Sequence, residues 1–330
     1  MKTILVTGGA GYIGANIVKL LIDKKYKVII LDNLSTGKKS LINKSALFYK
    51  ADLRNISQVR GVFKANKIDT VIHLGGLSIV SESNKNPNSY YDNNILGSLI
   101  LLKVMEENKC NKIIFSSSAA VYGAPKYTPV DEWNQKIPLS VYGETKGIIE
   151  EILRLKREKF VLKWIALRYF NAGGASDCGK YGELHTPETH LIPIILQSAI
   201  SGADINIFGD NYKTKDGTCI RDYVHVVDLA NAHIKGIKYL DLLDCISMPI
   251  NLGSKEGYTV QEIIKKCAEV TNTKFKINIV ARRGGDPDVL IANTFRAKKV
   301  LKWEPTKHLE DIIASSWKFM HTNKYINNTK

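Results

Sequence analysis

The stretch from Thr3 to Gly14, Thr-Ile-Leu-Val-Thr-Gly-Gly-Ala-Gly-Tyr-Ile-Gly, constrains this chain more than any other. An apolar strand runs into Gly8, Gly11 and Gly14, and Gly9, Gly11 and Gly14 also satisfy Gly-x-Gly-x-x-Gly. Missing side chains permit a tight strand-to-helix turn and let a pyrophosphate approach backbone N–H groups at the positive end of the helix. Such a string is weak evidence alone. Here a second apolar run ends at Asp32, 18 residues beyond Gly14, which completes the pattern of a dinucleotide-binding unit. A carboxylate at Asp32 accepts hydrogen bonds from both adenosine ribose hydroxyls and repels a 2′-phosphate, so NAD is expected over NADP. The other reading of Asp32 is a turn former in Asp32-Asn33.

The rhythm continues to about Phe170. Val/Ile/Leu-rich runs predict strands at Thr3–Thr7, Lys27–Leu31, Ala46–Lys50, Thr70–Leu74, Lys112–Ser116 and Trp164–Arg168, with helices between them, notably Asn88–Asn108 and Ser140–Lys159. This is the pattern of an α/β fold, a doubly wound parallel sheet of the Rossmann type. After Asn171 the pattern loosens into Gly- and Asp-rich loops. The expected organisation is therefore a nucleotide-binding domain over residues 1–171 and a smaller C-terminal α/β lobe over 172–330. Part of about 220–255, including strand Pro249–Leu252, is expected to return to the first domain. The chain is 44% hydrophobic and 24% charged, enough apolar residues for a sizeable core and no sign of disorder.

Tyr142-Gly143-Glu144-Thr145-Lys146 is a Tyr-x-x-x-Lys pair. With 15 tyrosines and many lysines, such pairs also arise by chance, and Tyr122/Lys126 is another. Pro125 marks that second segment as a loop, whereas Tyr142 and Lys146 fall in a helical stretch where this spacing stacks them on one side. A phenol is a poor base at neutral pH, but a nearby ammonium and a positive nicotinamide both favour the phenolate. Ser118, at the end of its strand, is placed to hold a substrate hydroxyl near Tyr142.

Together these residues resemble the extended short-chain dehydrogenase/reductases and, within them, the UDP-glucose 4-epimerase (UDP-galactose 4-epimerase) family. The resemblance covers nearly the whole chain. It rests on Thr7–Gly14, Asp32-Asn33-Leu34, Tyr90–Asn94, Phe115–Ser118 with Val121-Tyr122-Gly123, Tyr142–Lys146, Arg168–Asn171, and Asp216-Gly217-Thr218 with Arg221–Val226. It implies an isomerase with a bound NAD and a UDP-hexose substrate, acting in galactose metabolism. Tyr142 would take the proton of the sugar 4-hydroxyl as hydride leaves C4, Ser118 would align that hydroxyl, and Lys146 would hold the cofactor ribose. The 4-keto sugar would then turn over and take hydride back on its other face.

The resemblance also implies a cofactor set of Gly8, Gly11, Tyr12, Ile13, Gly14, Asp32, Asn33, Asp52, Leu53, Leu74, Gly75, Gly76, Ser78, Asn93, Ser116, Tyr142, Lys146 and Tyr169. The substrate set it implies is Ser118, Tyr142, Asn171, His190, Leu191, Phe208, Arg221, Arg283, Asp286 and Leu290, with Arg282 adjoining Arg283 in a register open by one. Ser78 stands where several relatives carry a cofactor-touching Lys, and Thr189-His190 where an Asn pair is common. Leu290 resembles a size gate intermediate between bulky and small residues, implying glucose/galactose activity with weaker action on UDP-N-acetylhexosamines. A homodimer built on helices Asn88–Asn108 and Ser140–Lys159 is implied as well.

Other function classes fit less well. A UDP-N-acetylglucosamine 4-epimerase is the nearest alternative. A 4,6-dehydratase needs acid/base groups where this chain has Ser118-Ala119-Ala120, and a non-catalytic NAD-binding protein would not need Ser118, Tyr142 and Lys146 intact. The net charge of +15 is carried mostly by scattered lysines, without a basic run or aromatic-basic motif, so no nucleic-acid partner is expected. Five cysteines without a Cys-x-x-Cys pair point to reduced thiols in a cytoplasmic protein. No apolar stretch reaches the roughly 20 residues of a membrane span, and Met-Lys-Thr leads directly into a strand, so neither leader nor anchor is expected. The seven histidines show no His-Glu-x-x-His or Cys/His cluster, and no metal is expected.

Overall fold

Runs of β-branched and aliphatic residues make strands that are covered on both faces. In the computed structural model, which describes residues 1–284 and 286–322, they form β1 (Thr3–Thr7), β2 (Lys27–Asp32), β3 (Leu47–Lys50), β4 (Thr70–His73), β5 (Lys112–Ser118) and β6 (Lys163–Tyr169). These bounds agree with the sequence expectation to within two residues. Then come β7 (Asn171–Gly173), β8 (Ile205–Phe208), β9 (Ile220–His225), β10 (Met248–Leu252), β11 (Gly257–Thr259), β12 (Ile277–Val280) and β13 (Val289–Leu290). The main sheet has seven strands in the order β10-β6-β5-β4-β1-β2-β3, and every pairing in it is parallel.

The helices are α1 (Tyr12–Asp23), α2 (Ile56–Ala65), the short α3 (Val80–Ser83) and α4 (Pro87–Tyr90), α5 (Gly97–Glu107), α6 (Val141–Phe160), α7 (Leu191–Ser201), α8 (Val226–Leu240), α9 (Val260–Thr271) and α10 (Leu309–Thr322). Successive strand residues point to opposite faces, and the two cores follow that period. Ile4 and Val6 pack with Ile17 and Leu21 of α1 and Leu229 and Ile237 of α8. On the other face Leu5 packs with Val59 of α2, Leu101 of α5 and Leu153 of α6.

Helix α6 starts where its cap dictates, the Ser140 side chain accepting from Gly143 N–H at 3.1 Å. The expected single helix Asn88–Asn108 is instead α4, a π-helical turn over Tyr91–Leu96, and α5. The wider turn accompanies a buried Asn94 that bonds both Leu77 N–H and C=O, at 2.8 and 3.1 Å, and the Thr145 hydroxyl at 3.1 Å. π-turns of this kind recur at functional sites.

The C-terminal lobe carries two small sheets, one with order β11-β9-β13 joined by β7, and one pairing β12 with β8. Strand β10 joins the main sheet beside β6 and helix α8 packs on it, while β9 belongs to the small one. Among the described residues no helix is long and apolar enough to cross a membrane. All five cysteines are free thiols.

Candidate active site

The C-terminal ends of the main-sheet strands border an open cleft. It lies at the point where the strand order reverses, on either side of β1, the expected place for a ligand in an open α/β sheet. Every residue of the expected cofactor set, from Gly8 to Tyr169, lines it. So do Ser118, Asn171 and His190 of the substrate set.

At one end, the β1–α1 turn leaves no room for side chains. Gly8 has φ +70°, and a Cβ on Gly14 would lie 2.2 Å from the Gly8 carbonyl oxygen. Helix α1 has no side-chain cap at Gly11, so its first N–H groups are available to an anion. Asp32 is anchored at the cleft edge, one oxygen accepting from Ala10 N–H at 3.0 Å and the other from Leu34 N–H at 2.8 Å. Burial raises its pKa and these two bonds oppose that rise. Asn33 donates to Asp52 at 3.1 Å, and Arg54 holds the Asp52 carboxyl well below the usual range. A cradle without Cβ atoms, an uncapped helix start and a fixed carboxylate fit a dinucleotide.

At the other end, α6 brings Tyr142 and Lys146 onto one face toward the tip of β5. Ser118, at the tip of β5, and Tyr142 both line the cleft here. Burial raises the Tyr142 pKa, and Ser118 opposes that rise. Lys146 is almost wholly buried and donates to Ser116 C=O at 2.7 Å, with its ammonium 5.6 Å from the Tyr142 ring centre. Burial lowers its pKa to about 8 against the opposing charge of Glu150. His73 is enclosed, between Thr7 at 2.7 Å and Ser98 at 2.8 Å. Burial, aided by the Lys146 charge, pushes its pKa down to about 3, so it is a neutral packing group.

Sequence reasoning missed the ionic layer beneath this face. Glu150 follows Lys146 by one helical turn and forms a two-pronged pair with Arg168 at 2.8 and 2.6 Å, both side chains buried. It also accepts from Ser117 at 2.7 Å, tying α6 to the strand that carries Ser118. Arg168 donates to Tyr122, and Tyr122 to Asn251, at 2.8 and 2.7 Å. The Tyr142, Lys146, Glu150 spacing was the available signal.

The rest of the substrate set forms its own group on the lobe and does not line the cleft. Arg221 on β9 donates to Asp286 at 2.5 Å, and Tyr212 donates to the same carboxylate at 3.0 Å. The Arg283 guanidinium stacks 4.0 Å from the Phe208 ring centre, whereas Arg282 stacks on Tyr212 and pairs with Asp288. Leu290 is opposite Arg221 in the β13–β9 pairing and packs against the cluster that contains Phe170, a cleft residue. Leu191 opens α7 directly after His190.

One gathering runs against the expectation drawn from the histidines. Glu183, His185, Glu188 and His190 each present a ligand-type atom, all within 4.8 Å of one another. The spacing Glu-x-His-x-x-Glu-x-His lies on an irregular loop, so neither a helical motif nor a Cys/His pattern finds it.

The NAD dependent epimerase/dehydratase family pattern matches residues 4–244. The chain belongs to that family. The match agrees with the parallel sheet and the Tyr142/Lys146 pair. Among its relatives, UDP-glucose 4-epimerase of Halalkalibacterium halodurans is 45% identical, covering 95% of this chain and 94% of its own. That of Lacticaseibacillus casei is 44% identical over 97% of each. A solved UDP-glucose 4-epimerase superposes with a TM-score of 0.95 at 42% identity over 98% of both chains. The Bifidobacterium longum enzyme, in complex with NAD⁺ and UDP, does so with 0.93 at 36% over 98% of this chain and 99% of its own.

Proposed function

We infer that the protein is a UDP-glucose 4-epimerase, an isomerase that uses NAD to interconvert UDP-glucose and UDP-galactose. The observation that carries this reading is one cleft with a dinucleotide cradle at one end and Ser118, Tyr142 and Lys146 at the other. NAD⁺, when bound, supplies a reversible acceptor for the C4 hydrogen and its electron pair, so the sugar leaves at the oxidation level at which it entered. Gly8–Gly14, Asp32 and Asn33 would hold the cofactor. Tyr142 accepts and returns the proton of the sugar 4-hydroxyl, and Ser118 fixes that hydroxyl against it. Lys146 supplies a buried positive charge that favours the phenolate.

The lobe set, Asn171, Leu191, Phe208, Arg221, Arg283 and Asp286, is assigned to the UDP part, the arginines suiting a diphosphate through charge-assisted bonds. For this the Arg221–Asp286 pair must open toward the cleft. Leu290, against Phe170, sets the room at the sugar, and glucose/galactose turnover should exceed that of the N-acetyl sugars. Equal or faster turnover of UDP-N-acetylglucosamine reverses that order. Ala119 and Ala120 supply no further acid or base, which disfavours dehydration.

The exposed Leu96, Leu99, Ile148 and Leu155 on the π-turn, α5 and α6 support a homodimer through these helices. A monomeric sedimentation coefficient at micromolar concentration contradicts it. Five unpaired thiols suit the cytoplasm. The direct test is UDP-galactose with purified protein and no added NAD, following UDP-glucose. Product supports the reading, and its absence from protein carrying NAD overturns it.

A further inference from the structure

We propose that Glu183, His185, Glu188 and His190 form a structural site for a zinc-class divalent cation that pins the 183–190 loop as a wall of the cleft. Three independent observations carry it. The first is convergence. Nδ1 of His185 and Nδ1 of His190 both face one oxygen of Glu183, at 2.8 and 2.5 Å, and His190 Nδ1 lies 3.3 Å from Glu188. Zn–N and Zn–O bonds of about 2.0–2.2 Å put tetrahedral ligand atoms about 3.3–3.5 Å apart. The four atoms bracket that spacing and reach it by adjustments of about an ångström.

The second observation is charge. The Glu183 and Glu188 side chains are only 7% and 6% exposed. In a chain with 47 Lys and Arg residues, neither carboxylate pairs with one among the described residues; their partners are the two histidines. Without an ion the two carboxylates hold a proton on His190, whose pKa they raise to about 10; a divalent ion displaces that proton and balances the two carboxylates charge for charge.

The third is orientation from outside the cluster. Glu188 accepts from the backbone N–H of Thr189 at 2.7 Å and of His190 at 2.9 Å, which fixes its carboxylate as outer-shell bonds fix metal ligands. Two imidazoles with two carboxylates select zinc, cobalt or nickel over magnesium or calcium, which favour all-oxygen cages. The site touches what it would stabilise. His185 meets Tyr12, the first residue of α1, edge-on at 6.4 Å, and His190 directly precedes α7. No covalent or redox step is involved, and neither Tyr142 nor Ser118 is among the ligands.

The test uses the full chain, stripped with chelator and titrated with Zn²⁺ alone, Co²⁺ alone and Mg²⁺ alone. The expected result is one Zn²⁺ per chain with a rise in the unfolding temperature, a Co²⁺ visible spectrum of tetrahedral N/O type without thiolate charge-transfer bands, and no Mg²⁺ response. His185→Asn and Glu188→Gln, read separately, should each weaken Zn²⁺ binding by on the order of 100-fold or more, with the far-ultraviolet circular dichroism unchanged. Two variants are used so that a folding failure in one leaves the other to decide. Should both unfold, Co²⁺ on the unaltered chain decides through the presence or absence of the tetrahedral N/O spectrum. Overturning results are no stoichiometric Zn²⁺, a Co²⁺ spectrum showing thiolate ligands, an equal Mg²⁺ response, or a folded variant that binds as tightly as the unaltered chain.

Discussion

Along the main sheet the cleft is walled by backbone and small side chains, Gly8, Gly14, Gly75 and Gly76, whereas the lobe brings Arg221 paired with Asp286 and Arg283 stacked on Phe208. The difference teaches how each half is specified. A backbone cradle has its shape fixed by the strand-to-helix geometry, and any added atom collides. The lobe residues are held by side-chain partners instead, and the diphosphate role proposed for them requires the Arg221–Asp286 pair to be exchanged for a ligand. The chemistry proposed above falls on the sheet side, where Ser118 and Tyr142 are set by β5 and α6.

The largest effect should therefore come from the sheet side. Tyr142→Phe removes the group proposed to take the 4-hydroxyl proton and should lower epimerisation by about 10²–10⁴-fold, with fold and bound NAD retained. Full activity in this variant would move the chemistry elsewhere in the cleft. Gly14→Ala comes next, because its Cβ meets the Gly8 carbonyl at 2.2 Å. It should cost roughly 2–4 kcal/mol in urea denaturation and release NAD. Gly147→Ala is the contrast, a half-buried position on α6 where a Cβ meets nothing within 4 Å. It should gain about 0.5–1 kcal/mol from helix propensity.

On the lobe side, Arg221→Lys keeps the charge but loses the planar fork. It should raise KM for the UDP-sugar about 10–100-fold and leave kcat within a few-fold, consistent with about 1.5–3 kcal/mol for a charge-assisted bond. A fall in kcat with unchanged KM would mean that the lobe shapes the reacting centre and that the division between the halves is wrong.

The same division governs what could be read from sequence. Strands such as Thr3–Thr7 are legible because five successive buried residues need only hydrophobicity and length. The cradle is legible because glycine is the only residue that satisfies its geometry. The π-turn at Tyr91–Leu96 is not, since its local sequence is ordinary helix and its cause is Asn94 reaching Leu77 and Thr145. Arg282 and Arg283 are separated only by their aromatic partners, Tyr212 and Phe208, which are distant in sequence. The Glu183–His190 gathering depends on a loop path that no periodicity encodes.

Lys146 gives the most diagnostic effect. Its pKa is lowered to about 8 by burial, while an unfolded lysine titrates near the usual 10.5. Between those values the unfolded chain binds more protons than the folded one, so the Lys146 contribution to stability rises with pH across that window. Below about pH 8 the residue is charged in both states and its burial cost is felt in full. Lys146→Met removes that cost, and should be more stable than the unaltered protein by on the order of 1–3 kcal/mol at pH 7 while losing most of its activity. The advantage should shrink steadily as pH rises toward 10.5. Urea denaturation of both proteins at pH 7, 8, 9 and 10 measures it as a difference, in which the titration of other lysines and tyrosines cancels. A pH-independent difference would show that Glu150 and the Ser116 carbonyl fully compensate the buried ammonium. The rigid half would then carry no electrostatic strain for the sake of catalysis.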